Sequence, residues 1–239
     1  MLGFYDYTVV LTYLSLLSAG SGIVVSLSDG GHPYWGIFFL LLCGLFDAFD
    51  GKVARTKKNR TQMEMNYGIQ IDSLADVIAF GVLPAVIGIA LLRTSPYLRG
   101  AGLFGSHWTV ITIKIILYAV LMLYILAALI RLAYFNVTEE ERQRTEGGVR
   151  KYYTGLPVTS SALIFPTVML LRYLFLSLEI SIDLSIIYIP VALLTAFLFL
   201  SKIKVPKPGL RGILLMIGVG VLECIVLAVC LALHINHVI

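Results

Sequence analysis

Long apolar runs separated by short polar connections fill this chain almost from end to end. Seven stretches reach or approach the ~20 apolar residues that a helix needs to cross a bilayer. They fall near residues 8–27, 34–55, 66–92, 107–136, 157–177, 185–201 and 210–235. Breaks rich in Gly and Pro separate several of them, at Gly30-Gly31, Pro96, Gly155-Leu-Pro157 and Pro206-Lys-Pro208. The pattern predicts an all-α, polytopic membrane bundle of six core transmembrane helices with a seventh at the C-terminus. One domain spans 1–239, with its core over about 8–206 and the extra helix over about 210–235. No internal repeat or low-complexity tract divides it.

Composition supports this reading. The 239 residues are 59% hydrophobic and 13% charged, about half the ~25% charge of a soluble domain. A soluble core of this size could not hide so much apolar surface. The first span follows Met1-Leu-Gly-Phe-Tyr-Asp-Tyr7, which carries no basic residue. A secretory leader normally opens with positive charge, so this segment is expected to be a retained helix.

Basic residues set the orientation. With the N-terminus cytoplasmic, three inner regions hold Lys52, Arg55, Lys57, Lys58 and Arg60; Arg131, Arg142, Arg144, Arg150 and Lys151; and Lys202, Lys204, Lys207 and Arg211. That is fourteen of eighteen, leaving Arg93, Arg99, Lys114 and Arg172 outside. The positive-inside bias therefore predicts a cell-membrane protein with a cytoplasmic N-terminus. The net charge of +4 adds affinity for anionic headgroups. These charges flank membrane spans rather than forming a soluble basic face, which argues against nucleic acid as a partner. Cys43, Cys224 and Cys230 lie within spans, fit no zinc spacing and are expected to be reduced and packed. His32, His107, His234 and His237 fall near outer ends and are assigned no chemistry.

Four aspartates interrupt the apolar pattern, Asp47 and Asp50, then Asp72 and Asp76. A carboxylate near hydrocarbon costs roughly 2.5–3.5 kcal/mol on insertion scales, so such residues usually mark function. On helices, Asp47 and Asp50 share one face and Asp72 and Asp76 another, with Gly68 a turn before Asp72. Two such helices side by side would aim four carboxylates into one cavity, where they repel unless cations neutralise them. Hard divalent cations take oxygen ligands and often bind phosphates as well. Gly51 and Gly68 leave room for a ligand, and Arg55 adds a planar cation suited to phosphate. Both clusters fall at the cytoplasmic ends of their spans.

Asp47-x-x-Asp50-Gly51-x-x-Ala54-Arg55, a gap, then Gly68-x-x-x-Asp72-x-x-x-Asp76 resembles the signature of the CDP-alcohol phosphotransferase family. The gap here is twelve residues, Thr56 to Tyr67, where that family usually has eight or nine. The extra residues are mostly polar and read as a longer cytoplasmic loop. The resemblance implies that Asp47, Asp50, Asp72 and Asp76 grip two divalent ions, Mg or Mn, with Asp76 also the general base. It implies a CDP pocket at Gly51, Ala54, Arg55 and Gly68, and a homodimer. The blocks Asp72 to Ala85, Arg131-Leu-Ala-Tyr-Phe-Asn136, Tyr153 to Pro157 and Ser201 to Pro206 are similar to the forms in phosphatidylserine synthases. That likeness implies transfer of a phosphatidyl group from CDP-diacylglycerol to L-serine within the lipid bilayer, releasing CMP. Arg131 is the expected partner of the serine carboxylate, with Asn136 and Lys151 as further candidates.

Rival readings remain at this stage. The acceptor could be glycerol 3-phosphate or an inositol phosphate, which would call for more convergent basic residues. An acidic-site cation transporter is the rival of another class; transporters often show internal repeats, and none is found here. A catalytically dead lipid-binding scaffold conflicts with the intact signature. Glu223, inside the last span, is expected to be a partnered packing residue, with Gly218 and Gly220 allowing close packing. The run Glu139 to Glu146 is expected to be a solvated loop.

Overall fold

The first helix, α1 (Val10–Leu27), buries a stripe of small and polar residues: Thr12, Ser15, Ser18, Ala19, Gly22 and Ser26. Small side chains let helix axes approach closely in a membrane, and α1 packs along α2 (Pro33–Ala54). A Cβ at Gly22 would lie 2.9 Å from both Phe39 and Leu83, so glycine is required by that approach. Cys43 is buried and free, its thiol directed to the Ser15 carbonyl at 3.3 Å. The computed structural model describes residues 3–28, 33–95, 98, 107–145, 152–177, 185–206 and 209–236.

A single rod follows, made of α3 (Gln62–Asp76), a π-helical segment (Val77–Val82) and α4 (Leu83–Thr94). It is the most buried of the candidate spans. Its start is set by a capping box. Thr61 Oγ1 accepts from the Glu64 amide at 3.2 Å, and Glu64 Oε2 accepts from the Thr61 amide at 2.7 Å. The expected long loop between Arg55 and Gly68 is corrected accordingly, because residues 62–67 are already helical.

The π segment has an identifiable cause. Pro84 lacks the N–H that would return to Phe80 one turn back, and Leu83 bonds to Ile78, five residues back. The freed Phe80 carbonyl accepts from Tyr124 Oη at 2.6 Å and from Ser161 Oγ at 3.3 Å. The Pro84 carbonyl accepts from Tyr188 Oη at 2.6 Å. Broken helices persist at membrane depth only where neighbours satisfy the backbone in this way. Tyr124, Phe165, Tyr188 and Phe199 pack their rings beside these bonds, with centroids 4.8–5.7 Å apart.

Those partners come from α5 (His107–Thr145), α6 (Ser161–Ser177) and α7 (Ser185–Leu200). α5 was expected to stop near 136 and the run after it to be loop; both expectations are corrected. No Gly or Pro interrupts 108–145, the charged residues there form helices readily, and Arg142 pairs with Glu139 at 2.6 Å. Glu146 lies outside the described residues. α8 (Leu210–Asn236) closes the bundle against α6 and α2. Glu223 is buried and accepts from Thr167 of α6, the packing role expected of it. Cys224 is half-buried and free. The side chains of Cys230 and of His32, His107, His234 and His237 lie outside the described residues.

Two three-residue strands were not anticipated. β1 (Tyr152–Thr154) and β2 (Lys204–Pro206) pair antiparallel, with Tyr153 opposite Val205. Gly155 follows at φ +76°, donating to the Ile203 carbonyl at 2.7 Å. A 3₁₀ turn at Val158–Ser160 then leads into α6.

Among the described residues, five stretches are long and apolar enough to cross a membrane: Val10–Leu27, Gln62–Thr94, Trp108–Arg142, Val158–Phe175 and Arg211–Val229. α2 has 22 residues but is charged in its last turns, and the apolar stretch of α7, Ile187–Leu200, is shorter. Exposed Ile115, Met122 and Leu126 on α5, with Leu215, Leu222 and Ile225 on α8, present hydrocarbon outward. Apolar faces turned outward around a partly polar centre are those of an all-α polytopic membrane protein.

Candidate active site

The last turns of α2 and the second half of α3 face each other. Asp47, Asp50 and Asp72 each place one carboxylate oxygen within 4.8 Å of the others. Asp50 is 9% exposed and accepts a hydrogen bond from Thr12 Oγ1 of α1 at 3.2 Å. Asp76 is 8% exposed and is the last residue of α3 before the π segment. It stands outside the three-oxygen group and one turn further along the rod. Three convergent carboxylates in a low-dielectric setting are stable as anions only beside positive charge. Their oxygen donors fit a hard divalent cation, so the cluster is able to hold one.

Beside the cluster lies a cavity of about 180 Å³, lined by Asp50, Asp72 and all four expected nucleotide-pocket residues, Gly51, Ala54, Arg55 and Gly68. Arg55 spans its edge, with Nη1 3.4 Å from where a Cβ on Gly51 would sit. Arg60 covers the other glycine, with Nη2 2.8 Å from the Cβ position of Gly68. Thr8 and Thr12 complete the wall from the side of α1.

The connection carrying Arg60 is tied down. Lys57 Nζ reaches Asp6 Oδ2 and Glu64 Oε1, both at 2.6 Å. The Lys57 ammonium, with help from Thr8, holds the Asp6 carboxyl at about 2, below its ordinary 3.8. The same two acids raise the Lys57 ammonium above its ordinary value, Asp6 foremost. Tyr13 Oη donates to the Phe4 carbonyl at 2.7 Å and meets Tyr67 Oη at 3.0 Å, so the N-terminal residues strap the start of α3.

A second, larger cavity of about 650 Å³ runs between α2, α6 and α8. Its walls are apolar, including Leu41, Leu45, Leu163, Ile213 and Met216, and Asp47 lies at its edge. It therefore joins a hydrocarbon-like space to the acidic cluster.

The expected acceptor residues occupy a third place. Arg131 is 5% exposed, donates from Nε to the Leu156 carbonyl at 3.1 Å and lies over the Phe135 ring. Asn136 donates to Ser73 Oγ at 2.6 Å, next to Asp72 in sequence. Lys151 lies outside the described residues. Neither Arg131 nor Asn136 lines the two cavities.

Sequence reasoning missed two site residues. Thr12 was legible only as a polar residue four after Thr8 in an apolar helix. Arg60 reads in the sequence as one more topology charge, because its place opposite Gly68 depends on the fold of the connection.

Fold and site define a class: a helical membrane protein whose acidic cluster lies between a small cavity lined by two arginines and a large apolar one. Residues 8–222 match the CDP-alcohol phosphatidyltransferase family, and the chain belongs to it. It is an enzyme family, which makes the cluster its candidate active site. Among curated relatives, the CDP-diacylglycerol--serine O-phosphatidyltransferase of Saccharomyces cerevisiae is 32% identical over 162 residues, 64% of this chain and 50% of that one. The archaetidylserine synthase of Methanothermobacter thermautotrophicus is 31% identical over 195 residues, 81% of this chain and 68% of its own. A CDP-diacylglycerol--serine O-phosphatidyltransferase of Helicobacter pylori is 29% identical over 175 residues, 71% of this chain and 62% of that protein. The match thus spans half the length of the yeast relative. No solved structure matches the chain.

Proposed function

We infer that this protein transfers the phosphatidyl group of CDP-diacylglycerol to the hydroxyl of L-serine, yielding phosphatidylserine and CMP. The observation that carries the reading is the convergence of Asp47, Asp50 and Asp72 within 4.8 Å beside a cavity lined by Arg55 and two glycines. The choice of serine is supported by the names of the relatives, two of which are serine phosphatidyltransferases. The apolar cavity at Asp47 suits the hydrocarbon end of a lipid donor.

In this reading Asp47, Asp50 and Asp72, with Asp76 beside them, hold two divalent ions, Mg²⁺ or Mn²⁺. Such ions neutralise a diphosphate and stabilise its departing oxygen. Arg55 orients the diphosphate through its planar fork, while Gly51, Ala54 and Gly68 let the nucleotide approach the backbone. Asp76 accepts the proton of the serine hydroxyl. The serine oxygen forms its bond to the phosphatidyl phosphorus as the bond from phosphorus to the CMP oxygen breaks. Arg131, Asn136 and Lys151 bind the carboxylate and polar groups of serine. The site faces the cytoplasm of the cell membrane, the N-terminus is on the same side, and the working unit is a homodimer.

The deciding test is CMP release by the purified full chain, given CDP-diacylglycerol, Mg²⁺ or Mn²⁺, and serine, glycerol 3-phosphate or an inositol phosphate in separate reactions. Release with serine alone, abolished by chelator, is expected. Release with a phosphorylated alcohol and not with serine would move the acceptor assignment, and undiminished turnover in excess chelator would remove the ions.

A further inference from the structure

We propose that Arg60 is a second anion-binding residue of the active-site cavity, which grips the diphosphate of the nucleotide donor opposite Arg55. The proposal rests on the proposed function above and adds a residue outside the aspartate–glycine–arginine signature.

Three observations point there. First, Arg60 lines the same cavity as Asp50, Asp72 and Arg55, and its Nη2 lies 2.8 Å from the Cβ position of Gly68. The missing side chain at Gly68 is what gives the guanidinium its place. Second, the guanidinium is under-used. Nη2 donates to the Glu64 carbonyl at 3.2 Å, but Nε is buried without a partner. A buried donor left unpaired is costly and calls for an explanation such as an absent ligand. Third, no carboxylate among the described residues pairs with Arg60, whereas Lys57, three residues earlier, bonds to both Asp6 and Glu64. The acids nearest the connection, Asp6 and Glu64, are taken up by the lysine, so the arginine charge is directed at the cavity. A guanidinium there presents a planar fork of donors, the geometry that phosphate recognition uses.

The test uses the purified full chain with divalent ion present and CDP and CMP as probes, titrated against wild type, Arg60→Gln and Arg60→Lys. Glutamine removes the charge and keeps a neutral amide on a shorter stem, and the Lys57 ion pairs with Asp6 and Glu64 remain, so the fold of the connection should survive. Arg60→Gln is expected to weaken CDP binding about tenfold or more, the usual worth of a charge-assisted contact, and CMP binding less, because CMP lacks the second phosphate. Arg60→Lys should recover part of the loss, which also serves if the glutamine variant misfolds. The KM for CDP-diacylglycerol should rise while the KM for serine stays put. Wild-type affinity for CDP in both variants, or equal losses for CDP and CMP, would overturn the assignment of Arg60 alone. Failure of the wild type to bind CDP would overturn the proposed nucleotide donor as well.

Discussion

Asp72 and Asp76 stand one helical turn apart on the same rod, yet the structure gives them different company. Asp72 belongs to the three-oxygen group with Asp47 and Asp50; Asp76 lies outside it, more buried and at the mouth of the π segment. Their amide variants should therefore differ. Asp72→Asn is expected to abolish turnover and to remove the stabilisation that divalent ions give to the folded protein. Asp76→Asn keeps the shape but removes the basic oxygen, so turnover should fall by roughly 10²–10⁴-fold with ion and nucleotide binding largely kept. CMP release and ion-dependent thermal shift, measured on both variants, separate the two roles. If Asp76→Asn loses ion stabilisation as completely as Asp72→Asn, Asp76 is primarily a metal ligand and its assignment as the base is wrong. These carboxylates were legible in sequence because charge is rare in apolar runs. Thr12 was not, because a threonine in a helix says nothing of what lies opposite until α1 is packed on α2.

Among the elements, the helices were readable because their apolar runs are long, while their ends were set by local chemistry that periodicity ignores. Thr61 and Glu64 start α3 early through their capping box, and α5 runs on because nothing stops it before Thr145. The strands β1 and β2 carry too few residues for an alternating pattern. Their junction depends on Gly155, where a Cβ would lie 2.7 Å from the Phe199 carbonyl oxygen and 2.9 Å from that of Ser201. Gly155→Ala combines that clash with a positive φ and should destabilise the fold by about 1–3 kcal/mol, read as a lower thermal midpoint. It should also loosen Arg131, whose Nε bonds to the next residue's carbonyl. An unchanged midpoint would mean that the junction moves freely.

The N-terminal strap makes a pH prediction of its own. Lys57 holds the Asp6 carboxyl at about 2 in the folded protein, against an ordinary value of 3.8. A depressed carboxyl contributes stability that is present above its unfolded value and is lost as pH falls through the folded one. The strap should thus be intact near neutrality and release between about pH 4 and pH 2. Asp6→Asn removes this contribution at every pH, so its midpoint should lie below wild type at pH 7 and converge on it near pH 2. Parallel curves across that range would show that Asp6 is not the group that titrates.

At the scale of the whole molecule, the charges decide how the bundle lies in the membrane. The stretches 52–60, 131–151 and 202–211 carry fourteen of the eighteen basic residues, whereas the opposite ends of the spans carry few. Basic residues resist translocation, so those three regions should share the cytoplasmic side with the aspartates. On the proposed function, site and topology are then linked: serine and the divalent ion would arrive from the cytoplasm, and the lipid donor would reach Asp47 sideways from the bilayer through the apolar cavity. Single-cysteine labelling tests this with a membrane-impermeant maleimide on intact cells, in a background with Cys43, Cys224 and Cys230 replaced by alanine. Lys58→Cys, at an exposed position in the connection, should react only after permeabilisation. Trp108→Cys, 77% exposed at the other end of α5, should react from outside in intact cells. Labelling of Lys58→Cys from outside would invert the topology and turn the active site away from the cytoplasm.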